Sequence, residues 1–78
     1  MAIQADQVLD TSGTVCPVPV LRTLRLLKTM EVGQVLKVIV TDRGAAADIS
    51  EWNEMPDRQI VGQEREGEKY LFYIRKIG

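Results

Sequence analysis

Cys16 is the one cysteine in the 78-residue chain, and it stands directly before Pro17 in the stretch SGTVCPVPVLRTLRLLKTM. A thiol can serve as a nucleophile, but the chain has no histidine, so a papain-like or caspase-like hydrolase would lack its standard general base and hydrolysis is strongly disfavoured. A single cysteine also excludes an internal disulfide and a dithiol cycle of the Cys-x-x-Cys type. These absences leave a monothiol that accepts a group and passes it on, since exchange at sulfur needs only a thiolate and an accessible sulfur atom.

Pro17 and Pro19 place this thiol at the start of a helix. Proline is favoured at the first helical position, and the residue before a proline is kept out of the α region. We therefore expect Pro17 to be the first helical residue and Cys16 to be the N-cap, extended and projecting. The helix dipole would favour the thiolate slightly, and a nearby arginine would add to that effect. The alternative is a thiol packed in the core as a small hydrophobe.

The hydrophobic pattern predicts the element order that must position the thiol. Strand patterns cover 7–10, 34–42 and two segments around Gly67, whereas helical patterns run from Pro17 to about Met30 and over 45–55. Gly33 suits the left-handed position that closes the first helix. The order β-α-β-α-β-β predicts an α/β two-layer sandwich, a four-stranded mixed sheet with two helices on one face, because crossovers are right-handed. On the opposite face, Val35 and Ile39 are either packed at the sheet surface or part of a surface that contacts a partner, and we expect packing.

Composition predicts a single domain over residues 1–78, held together by apolar packing. The chain has neither a signal-peptide pattern nor an apolar run of membrane-spanning length, so we expect a cytoplasmic protein. Without histidine, a Cys/His metal cluster is not expected, and no cofactor is expected either. Residues 22–43 are basic on balance and residues 48–68 are acidic. The calculated pI of about 5.3 disfavours nucleic-acid binding.

The segments LDTSGTVCPVPVL, VGQVLKVIVTDRGAAADISEW and FYIRK together resemble the TusA/SirA family of small sulfur carriers, from about Val8 to Lys76. The resemblance implies the same β-α-β-α-β-β sandwich. It also implies that Cys16 takes a sulfane sulfur, as a persulfide, from a cysteine desulfurase or a rhodanese-type donor and yields it to a downstream acceptor protein. The residues that would frame the site are Asp10, Gly13, Pro17 and Pro19.

Family members serve tRNA thiolation, molybdenum cofactor synthesis or sulfur oxidation, and the resemblance leaves the choice among these pathways open. The sequence departs from the tRNA-thiolation type at two places. Val18 stands where an acidic residue often lies between the prolines, and Pro56-Asp57 replaces a frequent Gly-His pair. These differences leave the identity of the downstream partner open. We expect Arg22 and Arg25, on the outer face of the first helix, to dock protein partners of a monomeric carrier. The rival hypothesis is a regulatory adaptor that acts by docking alone.

Overall fold

The computed structural model describes residues 4–78 and contains the predicted order of elements. Its strands are β1 (Gln7–Asp10), β2 (Val35–Val40), β3 (Arg58–Glu66) and β4 (Lys69–Lys76). Its helices are α1 (Val18–Thr29) and α2 (Arg43–Ser50), and a 3₁₀ turn (Trp52–Glu54) follows α2. Within these residues, neither helix is long and apolar enough to cross a membrane.

The four strands form one mixed sheet in the order β1-β2-β4-β3. β1 runs parallel to β2, with Leu9 opposite Val38, and β4 runs antiparallel to β2, with Phe72 opposite Val38. β3 pairs with β4 and carries an irregularity between Ile60 and Gly62. Because β1 and β2 are parallel, the segments that follow them leave the same edge of the sheet.

The hydrophobic core lies between one face of the sheet and both helices, which confirms the predicted two layers. Leu36, Val38 and Val40 alternate along β2 and are fully buried, as a strand with one covered face requires. The helices contribute buried side chains to the same core, and these are Leu27, Ala45, Ala46 and Ile49. Burial of this apolar surface is the main stabilising term for so small a fold.

The opposite face of the sheet is packed by its own side chains. Leu71 and Tyr73 are buried there, and Val35 and Ile39 are half-buried. The Lys37 ammonium lies over the Tyr73 ring, 5.8 Å from its centroid, so its aliphatic stem covers the aromatic surface. The expectation of packing at Val35 and Ile39 is therefore consistent with the structure.

The ends of both helices differ from the predictions. α1 ends at Thr29, and Lys76 Nζ donates to the carbonyl oxygens of Lys28 and Met30 at 3.3 and 2.7 Å. A lysine thus satisfies the carbonyls at this helix end, while Gly33, with φ at +94°, serves the following turn. The predicted second helix divides after Ser50, and the buried Trp52 begins the separate 3₁₀ turn.

Candidate functional site

The thiol of Cys16 is exposed at a turn immediately before α1. The amide of Val18 donates to the carbonyl of Val15 at 3.0 Å, which closes the turn. Pro17, with φ at −96° and ψ at 10°, is the N-cap of α1, and the Cys16–Pro17 peptide bond is cis. The prediction that Pro17 is the first helical residue and Cys16 the N-cap is therefore wrong by one position. Because the closing hydrogen bond occupies the Val18 amide, that donor does not serve the sulfur.

Pro17 and Pro19 occupy different environments on either side of Val18. Pro17 is exposed beside the thiol, whereas Pro19 is fully buried and its carbonyl accepts a 2.7 Å hydrogen bond from the Thr23 hydroxyl. Pro19 therefore anchors the first turn of α1 in the core, and Pro17 contributes to the surface around the thiol.

Buried threonine contacts hold the loop that leads from β1 to the thiol. Both the amide and the hydroxyl of Thr11 donate to the Ile39 carbonyl, at 2.9 and 2.6 Å. The Thr14 hydroxyl donates back to the Thr11 carbonyl at 2.7 Å. Thr11 is fully buried, so the start of this loop is tied to β2 by satisfied polar groups.

Asp10 and Gly13 shape the same loop. The Asp10 carboxylate accepts a 2.9 Å hydrogen bond from the Ser12 amide, and hydrogen bonding from Ser12 is the main cause that lowers the pKa of Asp10. Gly13 has φ at +82°, a region that favours glycine, and its amide donates to the Thr41 hydroxyl at 2.9 Å. Both residues thus set the path of the chain toward Cys16, and their contacts are with the loop rather than with the sulfur.

Two carboxylates from the other side of the site approach Cys16. Its Sγ donates to Asp48 Oδ2 at 3.6 Å, and its amide donates to Asp42 Oδ2 at 3.2 Å. The pKa of the Cys16 thiol is raised, first by partial desolvation, then by the hydrogen bond and negative charge of Asp48 and by the charge of Asp42. The slight stabilisation of the thiolate that we expected from the helix dipole is therefore opposed by desolvation and by the nearby carboxylates, which favour the thiol.

Gly44, in the first turn of α2, lies beside Asp42 and Cys16. A methyl group placed there would lie 3.3 Å from Asp42 Oδ2 and 4.0 Å from the Cys16 Cβ. Asp42 caps α2, since the same Oδ2 accepts the Ala45 amide at 2.9 Å. One carboxylate oxygen thus joins the helix to the Cys16 turn.

Asp42 and Asp48 are not among the site residues predicted from the sequence, although the sequence contains a signal for Asp42. An aspartate directly before a run of helix formers is typical of an N-cap. The β-α-β order also places the residues after β2 beside those after β1. Asp48 has no comparable local signal, because its contact with Cys16 spans 32 positions.

Comparison of the sequence with known proteins shows which family the chain belongs to. The family model described as sulfurtransferase TusA matches residues 7–76. The chain belongs to the TusA sulfurtransferase family. Its resemblance to sulfur carriers is therefore confirmed, and membership gives the chain a role in sulfur transfer, with sulfur donors and acceptors as partners in general terms.

Individual relatives cover most of the chain. It is 41% identical over 71 residues to the sulfur carrier protein TusA of Allochromatium vinosum, covering 91% of this chain and 93% of that protein. It is 36% identical over 74 residues to YrkI of Bacillus subtilis, covering 95% and 99%. With YrkF of the same organism it shares 36% identity over 76 residues, and it spans 41% of that protein's length.

Exposed apolar side chains lie on both sides of Cys16 in the sequence of this TusA-family chain. Val15, Val18 and Leu21 are 64%, 40% and 53% exposed, and they follow the turn and the first turns of α1. Large apolar side chains grouped on a surface are typical of a protein contact. We call these three residues the apolar rim.

The predicted docking residues, Arg22 and Arg25, lie further along α1. Both are exposed, and with Leu9, Leu26 and Thr29 they line a shallow groove of about 350 Å³ between β1 and α1. The groove combines two cationic side chains with apolar surface, so it suits an acidic segment of a partner protein.

Proposed function

We propose that residues 1–78 form a single sulfur-carrier domain in which Cys16 accepts a sulfane sulfur as a persulfide and relays it to a downstream acceptor. The observation that carries the proposal is an exposed thiol, held at a turn by β1, β2 and α2, in a chain of the TusA sulfurtransferase family. The proposed donor is a cysteine desulfurase or a rhodanese-type protein, each of which presents the sulfur as its own persulfide.

The transfer needs no oxidant or cofactor. The sulfur atom of Cys16 attacks the outer sulfur of the donor persulfide R–S–SH, so that a new S–S bond forms at Cys16 and the donor S–S bond breaks. The donor leaves as R–SH, and the carrier becomes Cys16–S–SH. A thiol of the acceptor then repeats the same exchange, takes the outer sulfur and restores the Cys16 thiol.

Exposure of the thiol supports a relay between proteins rather than independent turnover. A persulfide at an exposed position is open to water and to other thiols, so a cleft in the partner must complete the site during each transfer. Donor and acceptor would dock in turn over the apolar rim. In this proposal the carrier acts as a monomer in the cytoplasm. tRNA thiolation, molybdenum cofactor synthesis and sulfur oxidation remain the proposed destinations.

Arg22 and Arg25 are the proposed docking residues for the donor. The double substitution Arg22→Glu plus Arg25→Glu should weaken donor binding in isothermal titration calorimetry, and added salt should reduce the difference. A suitable control is Arg65→Glu plus Arg75→Glu, the same change of charge at two exposed positions on β3 and β4. Equal donor affinity of the Arg22/Arg25 variant and the wild type would remove this docking surface.

Transfer out of the carrier can be tested with cyanide, which removes a sulfane sulfur as thiocyanate. The carrier is loaded with radiolabelled sulfur by a donor, separated from that donor and mixed with cyanide. We expect labelled thiocyanate from the wild type and none from Cys16→Ser. In cells, full activity of the Cys16→Ser protein would favour the adaptor hypothesis, since an adaptor needs docking but no thiol.

A further inference from the structure

The hydrogen bond between Cys16 and Asp48 sets the electrostatic environment of the thiol. Cys16 Sγ lies 3.6 Å from Asp48 Oδ2, and Asp48 belongs to α2. The second charged group that acts on the thiol is Asp42, in the segment after β2. Arg22, on α1, acts instead on the carboxylate of Asp10.

A protein that covers the thiol must also cover these carboxylates. Among the side chains that the structure describes, the one ion pair joins Asp57 and Arg58, so neither Asp42 nor Asp48 forms an ion pair with a cation of these residues. Burial of an unpaired carboxylate at an interface is costly, whereas a cation facing it offsets much of the loss of hydration. A partner that fits this surface therefore needs a lysine or arginine at Asp48.

We infer that Asp48 is a positioning residue that biases the unloaded Cys16 further toward its thiol form until a docked donor places a cationic side chain against the Asp48 carboxylate. This inference rests on the proposed sulfur relay. The raised pKa of the Cys16 thiol agrees with it, since a less ionised thiol is less reactive toward stray electrophiles. Contact with the donor then both aligns the two sulfur atoms and makes the thiol nucleophilic.

The proton balance is simple. As the cation of the donor screens Asp48, the thiol proton of Cys16 passes to water, and the resulting thiolate attacks the outer sulfur of the donor persulfide. The donor sulfur that departs as a thiolate takes up one proton. The sum remains Cys16–SH plus R–S–SH giving Cys16–S–SH plus R–SH.

A charge series at one position tests the effect on the thiol. Wild type, Asp48→Asn and Asp48→Lys place a negative, neutral and positive group near the sulfur. The pH dependence of thiolate absorbance gives the ratio of thiolate to thiol at pH 7. This ratio should rise about fivefold from wild type to Asp48→Asn, because one unit charge about 4 Å away in water has an effect of this size. It should rise further in Asp48→Lys. The rate of alkylation should increase by only about twofold per step, because a less basic thiolate is also a weaker nucleophile.

Matched controls are Glu31→Gln and Glu31→Lys, which make the same changes of charge at an exposed residue. Glu31 precedes β2, whereas the Cys16 turn lies at the far end of that strand, roughly 20 Å away. The controls should leave the thiolate ratio unchanged. Equal ratios across the Asp48 series, or equal effects of the Glu31 series, would overturn the inference.

Loading by a donor separates the two proposals. Asp48→Lys should be alkylated faster than the wild type yet loaded more slowly by the donor, since its ammonium repels the donor cation. Loading of Asp48→Lys at or above the wild-type rate would overturn the role of a donor cation. If the charge series behaves as expected but no donor loads any variant, the sulfur relay is refuted and the control of the thiol by Asp48 is upheld.

Discussion

Replacement of Asp42 should weaken both the start of α2 and the attachment of the Cys16 turn. One oxygen, Oδ2, accepts the Ala45 amide at 2.9 Å and the Cys16 amide at 3.2 Å. Asp42→Ala removes both hydrogen bonds at once. Asp42→Ser is the informative comparison, because serine is an equally good N-cap but its oxygen is one bond closer to the backbone and falls short of Cys16.

The expected cost follows from these two contacts. Loss of an N-cap acceptor costs about 1 kcal/mol, and loss of a further hydrogen bond at a partly exposed site costs about 0.5–1 kcal/mol. Asp42→Ala should therefore lower the free energy of unfolding by about 1.5–2 kcal/mol, which for a small domain corresponds to roughly 6–16 °C in Tm. Asp42→Ser should recover about half of this loss.

Urea unfolding followed by circular dichroism measures the stabilities, and amide hydrogen exchange reports on the turn. The Cys16 amide should exchange faster in both variants, whereas the Ala45 amide should stay protected in Asp42→Ser. Two results would refute the reasoning: a stability of Asp42→Ala within about 0.5 kcal/mol of wild type, or an unchanged exchange rate at Cys16 in the serine variant.

Three further predictions concern the loop and the core. Gly13→Ala should lower the free energy of unfolding by about 1–2 kcal/mol through the positive φ alone, because the added Cβ would meet nothing within 4 Å. An unchanged free energy of unfolding in urea would contradict this prediction. Asp10 has a lowered pKa, so its contribution to stability is present above the ordinary aspartate pKa and lost as pH falls through the lowered value. Asp10→Asn should flatten that acid dependence, and identical pH–stability curves would oppose the assignment. Ile49 is fully buried, so its truncation should lower the free energy of unfolding measured in urea. The expected loss is about 2–5 kcal/mol for Ile49→Ala and about 0.5–1.5 kcal/mol for Ile49→Val. Equal losses for the two variants would argue against the packing described.

The strands and layers could be predicted because their causes are local. In β2, Leu36, Val38 and Val40 alternate with Val35 and Ile39, and a period of two combined with β-branched side chains specifies a strand with one buried face. The element order then restricts the topology, since right-handed crossovers place both helices on that face. These predictions needed no knowledge of contacts between distant residues.

The chemistry of the thiol could not be predicted in the same way. The position of Cys16 relative to α1 depends on the closure of the turn by Val18, and its pKa depends on Asp48, far along the chain. A cysteine beside a helix start suggests activation by the dipole, but desolvation and the carboxylates of Asp48 and Asp42 raise the pKa of the Cys16 thiol. All of these causes depend on the tertiary structure around the thiol, which the local sequence does not show.

The central claim, that Cys16 carries sulfur as a persulfide, is tested most directly by the mass of the intact protein. The chain is incubated with a cysteine desulfurase and cysteine, and separately with a rhodanese and thiosulfate, beside Cys16→Ser as the control. The account predicts a gain of one sulfur atom that a reductant reverses and that the control lacks. An unchanged mass with both donors, while Cys16 still reacts with a thiol-specific alkylating reagent, would contradict it.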